Sequence, residues 1–355
     1  MDKNRWVKWL RNIAAAVLAI FLFLALQELV VPKYAVNFKE GGFAEEYYEE
    51  TTPHDVLMVG DCEVYESFSP VDLWREFGIT SYIRGSAQQL VWQSYYLLED
   101  ALRYEKPEVV VFNVQALMHG KPQKEEYNRM ALDGMRWSVS KVKAVQASML
   151  PNENFVDYLF PILRYHTRIT QLTKEDTKYY ARHKKVSNNG YYMRVDTAPF
   201  VEGVWFEEEP KDYAFGEMPM EYLDKIRLLC ESEGIRLVLV KAPSVSPVWY
   251  DGYERQVVSY AEKYGLPYLN YLKLFDRVKL DYDTDTYDMG LHMNLSGAKK
   301  MTSYLGKFLV SECGLKGHKG EKMLEKVWEE KGKFYDNMRL KQEKEVEEYG
   351  SVISY

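Results

Sequence analysis

A cysteine at the end of an apolar run is the first residue in the chain whose position indicates chemistry. Cys62 follows the apolar residues 56–59 and the pair Gly60-Asp61. An apolar run of this length, bounded by turn residues, predicts a buried strand of a parallel sheet. Open α/β sheets bind their ligands just beyond the carboxyl ends of such strands, which makes Cys62 a candidate nucleophile.

A candidate base and acid lie late in the chain, in the stretch DTYDMGLHMNLSGAK at 285–299. Asp288 and His292 are separated there by three residues, just before a predicted helix. A carboxylate on one imidazole nitrogen fixes the tautomer, and the other nitrogen can then accept a thiol proton. The residue types therefore predict a Cys62, His292 and Asp288 arrangement, with Asp285 as a second candidate for the carboxylate.

Each of these residues also has a purely structural interpretation. Free cysteine is among the most buried residue types, so Cys62 could be an inert thiol at a tight turn. His292 could belong to the start of the following helix, although later residues are better caps. Asp285 and Asp288 also suit a turn. The helix after the first strand is predicted to begin at Ser69, too far from Cys62 to lower the pKa of its thiol.

The elements that must position these residues alternate between strand and helix, which predicts parallel connections and an α/β sheet. The predicted strands are 56–59, 79–84, 109–114, 235–241 and 266–269, and the predicted helices are 69–78, 88–104, 220–234, 252–265 and 296–313. Between the two halves, residues 117–219 have few strand patterns. They predict a helical insertion, either a lid over the cleft or a small separate domain.

Near the N-terminus, residues 13–31 (IAAAVLAIFLFLALQELVV) are apolar except for Gln27 and Glu28. Such a stretch nearly spans a hydrocarbon core of about 30 Å. The flank at 1–12 is rich in basic residues and tryptophans. This pattern predicts that the N-terminus lies in the cytoplasm and the bulk of the chain outside it. A cleaved signal peptide is the alternative, and the missing small-residue cleavage site favours a membrane anchor.

Composition narrows the class of protein further. With 46% hydrophobic and 28% charged residues, the 355-residue chain is typical of a globular protein. A net charge of −7 gives no reason to expect nucleic acid as a partner, and three cysteines without a CxxC pair indicate neither a disulfide framework nor a structural zinc site. The 29 tyrosines suit a sugar-binding groove as well as core packing.

Three blocks of the sequence together resemble the SGNH/GDSL hydrolase superfamily: GDCEVYESFSP, SYIRGSAQQ and YDMGLHMNLSGA. Within it they are most similar to membrane-anchored, DltD-like members of clostridial type. The resemblance implies a three-layer α/β/α sandwich with a central parallel sheet at 54–315. It also implies acyl hydrolysis or acyl transfer, often on cell-envelope polymers, with no metal or organic cofactor. A juxtamembrane stalk at 32–53 and a solvated, charged helix or tail at 316–355 complete the predicted organisation.

Carried over position by position, the resemblance assigns Cys62 to the place of the family's serine, after Gly60 and Asp61. The amides of Cys62 and Gly85 would hold the oxyanion, with Asn113 as a third candidate. His292 and Asp288 take the last block. The chain departs from the family in the cysteine itself, in the absent GxND pattern, and in a D-x-x-x-H spacing that is one residue longer than usual.

Arg84 is predicted to pair with Asp61 or, alternatively, to meet an anionic substrate. The leading functional interpretation is an extracytoplasmic esterase or acyltransferase that acts on a cell-envelope glycan or teichoic acid. A thioester intermediate at Cys62 would favour transfer over hydrolysis, with a membrane-bound O-acyltransferase as a possible partner. The first alternative is a catalytically silent scaffold or binding component of an envelope acylation system. The second is a polysaccharide-binding protein.

Overall fold

Five parallel strands form one sheet at the centre of the computed structural model, which describes residues 3–32, 43–174, 176–177 and 187–353. The strand order is β2-β1-β3-β4-β5, and all neighbouring pairs are parallel. The strands are β1 (Val56–Gly60), β2 (Ser81–Gly85), β3 (Val109–Asn113), β4 (Arg236–Lys241) and β5 (Tyr268–Asn270). The chain leaves β1 first towards β2 and then towards the other side, so the strand order reverses beside β1 and β3. A reversal of this kind opens a crevice at the carboxyl ends of the two strands.

The described part of the chain has helices on both faces of this sheet and further helices at the N-terminus and in the insertion. They are α1 (Lys3–Val30), α2 (Phe43–Glu46), α3 (Cys62–Ser67), α4 (Pro70–Phe77), α5 (Val91–Ala101), α6 (Glu125–Leu132), α7 (Val139–Ser148), α8 (Phe155–Leu159), α9 (Pro161–Tyr165), α10 (Glu217–Glu233), α11 (Asp251–Tyr264), α12 (Phe275–Val278), α13 (Leu295–Ser311) and α14 (Lys322–Tyr349). Short 3₁₀ turns occupy Tyr47–Glu49, Val114–Met118 and His166–Gln171.

The alternation of strand side chains divides the core into two layers. Leu57 and Val59 of β1 pack with α5, α10 and α11 on one face. Val56 and Met58 pack with α3, α4, α13 and α14 on the other face. Because a parallel strand is buried on both faces, the sequence of β1 is apolar throughout rather than alternating. The predicted α/β class with a three-layer sandwich is confirmed.

In the predicted insertion at 117–219, the helices among the described residues lie before residue 178, apart from the start of α10 at Glu217. The short helices α6 to α9 and a 3₁₀ turn reach Gln171, whereas residues 187–216 contain no helix or strand. The remainder, 175 and 178–186, lies outside the described residues. The returning chain covers the edge of the sheet, since Ile83 N donates to Asn189 O at 2.9 Å. Covering an edge strand in this way removes a site for unwanted strand pairing.

The last helix is more than the solvated element that its charge density predicts. Trp328 of α14 is buried and stacks on Trp74 of α4, with ring centroids 5.3 Å apart and planes at 15°. Tyr335 is fully buried two turns further on. Most of the charged residues occupy the opposite face, whereas Lys331 and Glu345 are buried. The high charge content of the segment thus conceals an apolar stripe that belongs to the core.

The N-terminal helix α1 is the one helix, among the residues that the structure describes, that is long and apolar enough to cross a membrane. The candidate span is Arg5–Val30, and its most apolar stretch of 18 residues has a mean hydropathy of 2.4. A membrane anchor and a signal sequence share these properties. Of the predicted stalk at 32–53, residues 33–42 lie outside the described residues, and Phe43 to Glu49 form α2 and a 3₁₀ turn.

Candidate active site

The turn between β1 and α3 places Cys62 at the carboxyl end of the sheet. Gly60 ends β1 with φ +153°, and a Cβ there would come 2.8 Å from the Cβ of Asn113, so only glycine fits. Asp61 caps the next helix, since its Oδ1 accepts from Glu63 N at 3.2 Å. Cys62 is therefore the first residue of α3, which corrects the expectation that the first helix begins at Ser69.

The late loop holds its histidine with both oxygens of one carboxylate. Asp288 Oδ2 lies 2.6 Å from His292 Nδ1, and Asp288 Oδ1 accepts from His292 N at 2.8 Å. Asp285, the second candidate, is engaged elsewhere because Lys300 Nζ donates to its Oδ2 at 2.6 Å. The structure thus pairs His292 with Asp288, and the longer spacing between them is spanned by a turn.

This loop also brings His292 next to Cys62, close enough for the thiol and the imidazole to influence each other's pKa. Since Nδ1 is occupied by Asp288, Nε2 is the nitrogen left for the thiol. The side chain of His292 is 20% exposed, and Cys62 is half-buried. A nucleophile, a base and a carboxylate that orients the base are therefore in contact, as acyl-transfer chemistry requires.

A second carboxylate, which we did not predict from the sequence, lies beside the same imidazole. Glu66 Oε2 is 3.6 Å from His292 Nδ1, and the carboxylate is buried. Tyr287 donates its hydroxyl to Glu66 and stacks on His292 with ring centroids 6.0 Å apart. Had α3 been predicted to start at Cys62, the four-residue spacing to Glu66 would have placed both on one helix face.

The surroundings raise the pKa of both members of the Cys62 and His292 pair. Burial, together with the charges of Asp61 and Glu66, raises the pKa of the thiol to about 12, although His292 opposes this. Burial alone would lower the pKa of His292, but Glu66, Cys62 and Asp288 raise it well above its ordinary value. Both shifts favour the protonated form of each group, whereas the imidazole must be neutral to act as a base.

Gly85 lies next to the same turn. It ends β2 in register with Gly60, and a Cβ at Gly85 would lie 3.2 Å from Gly60 O and 3.5 Å from Asp61 O. The contact is close enough to favour glycine, and it brings the end of β2 to the first turn of α3. The oxyanion functions of the Gly85 and Cys62 amides stay predictions.

Asn113, the third oxyanion candidate, already has partners. Its Nδ2 donates to Asp61 Oδ1 at 2.9 Å and to Glu63 Oε2 at 3.0 Å. An amide nitrogen carries two hydrogens, so both are used. In this arrangement Asn113 fixes the turn that carries Cys62, and its proposed contact with an oxyanion stays a prediction that would require one of these hydrogen bonds to break.

A buried ionic network, also missed from the sequence, lies below this turn. Lys241 at the end of β4 donates to Glu63 Oε1 at 2.8 Å, and Ser244 donates its hydroxyl to the same oxygen. His119 Nε2 lies 3.3 Å from Asp61 Oδ2. Because a buried charge without its partner costs several kcal/mol, these contacts hold the ends of β1, β3 and β4 in one geometry.

Arg84 does not pair with Asp61, contrary to the prediction. Its guanidinium lies on the opposite face of the sheet, donates to Leu97 O at 2.9 Å and stacks over Tyr47 at 4.2 Å. Asp100 is its acidic neighbour at 3.8 Å. Side chains of successive strand residues point to opposite faces, and this alternation carries Arg84 away from the turn. A buried Arg84 is not placed to meet a substrate.

No metal-binding group of three or more His, Cys, Asp or Glu side chains occurs among the residues that the structure describes. A cavity of about 780 Å³ lies away from Cys62, between the outer end of α1 and the insertion. Its lining includes Gln27, Arg129 and Tyr165.

Three solved structures are similar to this chain. They are a GDSL-like lipase from Bacteroides thetaiotaomicron (13% identity, TM-score 0.36, covering 77% of this chain and 100% of that one), a putative acylhydrolase from Bacteroides fragilis (12%, 0.38, 76% and 95%), and a putative lipolytic protein of the G-D-S-L family from Desulfitobacterium hafniense (14%, 0.32, 71% and 98%). No family model and no curated protein matches the chain. Likenesses at this level of identity and TM-score carry no argument on function, which has to come from the geometry of the chain itself.

Proposed function

We propose that the chain is a membrane-anchored, extracytoplasmic esterase or acyltransferase of SGNH/GDSL type that acts on a cell-envelope glycan or teichoic acid. The observation that carries the proposal is the position of His292 beside Cys62, with Asp288 Oδ2 2.6 Å from Nδ1 of the imidazole. These three side chains meet at the carboxyl edge of a parallel sheet, beside the point where the strand order reverses.

The reaction begins when the neutral imidazole of His292 accepts the thiol proton and the sulfur of Cys62 attacks the acyl carbonyl carbon. The carbonyl oxygen gains negative charge, which the amides of Cys62 and Gly85 would stabilise. His292 then returns the proton to the leaving oxygen, and a thioester remains on Cys62. An acceptor hydroxyl or water gives its proton to His292, attacks the thioester and releases the thiol.

The location of the substrate follows from the N-terminal helix and its flank. Basic residues in the first turns of α1, before its apolar stretch, favour an N-terminus in the cytoplasm and the catalytic domain outside, where envelope polymers lie. The thioester is the reason to prefer transfer, because it retains the acyl group in a reactive form for an acceptor hydroxyl. A membrane-bound O-acyltransferase would be the natural donor of that acyl group.

Trapping of the acyl-enzyme tests this proposal. The full chain in detergent is incubated with p-nitrophenyl acetate, and its mass is measured before and after hydroxylamine treatment. We expect one acetyl group on Cys62, none in Cys62→Ala, and an acetylation rate lower by about 10²-fold or more in His292→Ala. Cys313→Ala, which removes a half-buried thiol of the described chain, is the matched control and should acetylate like the parent. Equal rates of acetylation in the parent and in His292→Ala would show that His292 is not the base that activates Cys62.

A silent scaffold is the second candidate, and one observation favours it. The pKa of the Cys62 thiol is raised to about 12, the direction typical of an inert buried cysteine. If the chain only binds its partners, Cys62→Ala should leave envelope acylation in the native cell unchanged. Loss of acylation in Cys62→Ala, at an unchanged amount of protein in the membrane, would eliminate the scaffold.

A further inference from the structure

The first half of the insertion lies against the N-terminal helix. The ring of Phe160 is 6.1 Å from the ring of Phe23 in α1. Arg168 donates to Val30 O at 2.7 Å and so binds a carbonyl at the carboxyl end of α1. These two contacts, one at the end of the apolar helix and one well inside it, fix the height of the insertion along α1.

At this position along α1, the insertion is close enough to the hydrocarbon core of a membrane to contact it. Phe23 precedes Val30 by seven residues, which corresponds to about 10 Å along a helix axis. If Val30 marks the outer end of the membrane-spanning stretch, Phe160 lies about 10 Å inward of it, close to the depth at which interfacial helices bury their apolar faces. The part of the insertion at this depth occupies space that lipid would otherwise fill.

The segment between Phe155 and Gln171 presents apolar side chains that the described chain leaves uncovered. Five of them are 37–51% exposed: Val156, Leu159, Phe160, Leu163 and Ile169. Two basic side chains of the same segment instead turn back to the protein, since Arg164 bonds Glu125 at 3.0 Å and Arg168 bonds Asp176 at 2.9 Å. Arg164 stays 43% exposed in this ion pair, and the later residues His166, Thr167, Thr170 and Gln171 are exposed as well. The exposed apolar side chains are therefore concentrated in the first part of the segment, at 156–163.

A buried tyrosine attaches this surface firmly to the domain. Tyr158 donates to Glu153 at 2.8 Å, and the guanidinium of Arg129 lies 4.1 Å from its ring centroid. The exposed residues on either side of Tyr158 are consequently held in place, which suits a docking surface more than a loose loop.

We propose that Phe155–Gln171 is an interfacial membrane-binding element that lies in the outer headgroup and acyl boundary beside α1. We call these residues the interfacial segment. The occupant of its apolar face is the lipid bilayer, because the segment continues the lipid-facing surface of α1 at the same depth. The inference rests on the proposed membrane anchoring of α1. With two contacts to the bilayer instead of one, the catalytic domain is held at a fixed height and tilt above the membrane.

Photo-crosslinking to lipid tests the proposal. The photoreactive residue p-benzoyl-phenylalanine replaces Leu163 or Leu159 in the full chain, which is reconstituted into vesicles of phosphatidylcholine and phosphatidylglycerol. Leu18 of α1 is the positive control, and Phe206, which is 82% exposed outside the segment, is the negative control. After illumination, mass spectrometry should find phospholipid adducts at positions 163, 159 and 18 and none at 206.

The controls separate failure of this inference from failure of the anchor. Adducts at position 18 without adducts at 163 and 159 overturn the interfacial segment and leave the anchor intact. Adducts at none of these positions overturn both. A cross-link from position 163 to a second copy of the chain would show a protein contact on this face and would likewise overturn the lipid assignment.

Discussion

At the scale of single residues, the candidate active site is unusual in placing two carboxylates on one histidine. Asp288 binds Nδ1 of His292 at 2.6 Å, and Glu66 lies 3.6 Å from the same nitrogen. One carboxylate is sufficient to orient an imidazole. The second adds negative charge that stabilises the protonated ring, so the pKa of His292 rises and fewer molecules hold the neutral base at neutral pH.

This charge balance predicts the pH dependence of thiol reactivity. Glu66→Gln removes a negative charge that raises the pKa of both His292 and Cys62. Both pKa values should fall, and the alkaline rise in the rate of Cys62 alkylation should move to lower pH by about one unit or more. The rate of iodoacetamide labelling of the full chain, followed by mass spectrometry across pH, measures the shift.

Tyr287→Phe is the matched control for this substitution. It removes the hydroxyl that donates to Glu66 but retains the carboxylate charge. Its profile should therefore not move to lower pH. A profile of Glu66→Gln that superimposes on that of the parent chain, or that lies at higher pH, would contradict the assigned effect of Glu66.

The sequence identified the residues whose chemistry depends on local spacing. Cys62 after an apolar run, and Asp288 with His292 before a helix, were found from pattern alone. Glu63 and Lys241, which are 178 residues apart, could not be found this way, since only the sheet brings them together. A buried charge pair produces no periodic pattern in the local sequence. The partners of Arg84 could not be predicted for the same reason.

At the scale of elements, the short helix α3 decides how the active-site turn is built. The sequence CEVYES has two glutamates, a composition that predicts a polar loop. In the structure both glutamates are buried. Their hydrogen bonds to side chains of distant elements offset the cost of burial. Prediction from propensity alone could not anticipate those partners, and so the helix start at Cys62 was missed while the helix at Pro70–Phe77 was found.

The last helix gives an element-scale prediction. Trp328→Ala empties a fully buried site beside Trp74 and should lower the free energy of unfolding by about 3–5 kcal/mol. Met323→Ala, on the exposed side of the same helix, is the control and should change it by about 0.5 kcal/mol or less. Chemical denaturation of the full chain in detergent measures both. Equal effects of the two substitutions would mean that α14 is only a solvated tail.

At the scale of the whole molecule, segments far apart in the sequence meet at one buried histidine. His54, just before β1, lies 2.9 Å from Glu105 and 3.5 Å from Glu50. Lys331 of α14 donates to Glu50 at 2.8 Å and to Asn189 of the returning insertion at 2.5 Å. This network thereby joins the chain after α1, the edge of the sheet, the insertion and the last helix.

This junction makes the stability of the assembled molecule depend on pH. Burial alone would lower the pKa of His54, but Glu105 and Glu50 raise it to about 9. Since the unfolded chain has a pKa of about 6.5 at this residue, the stabilisation is complete below about pH 6.5 and is lost as pH rises through the folded pKa.

We therefore expect the free energy of unfolding to fall more steeply in the parent chain than in His54→Gln between about pH 6 and about pH 10, by roughly 3 kcal/mol over the whole interval. Glu105→Gln removes the first of the two charges that raise the pKa, so it should flatten the same slope. Denaturation of the full chain in detergent at several pH values measures these slopes. A slope in His54→Gln equal to that of the parent would show that the network does not hold a proton at His54, and that the segments it joins are kept together by apolar packing alone.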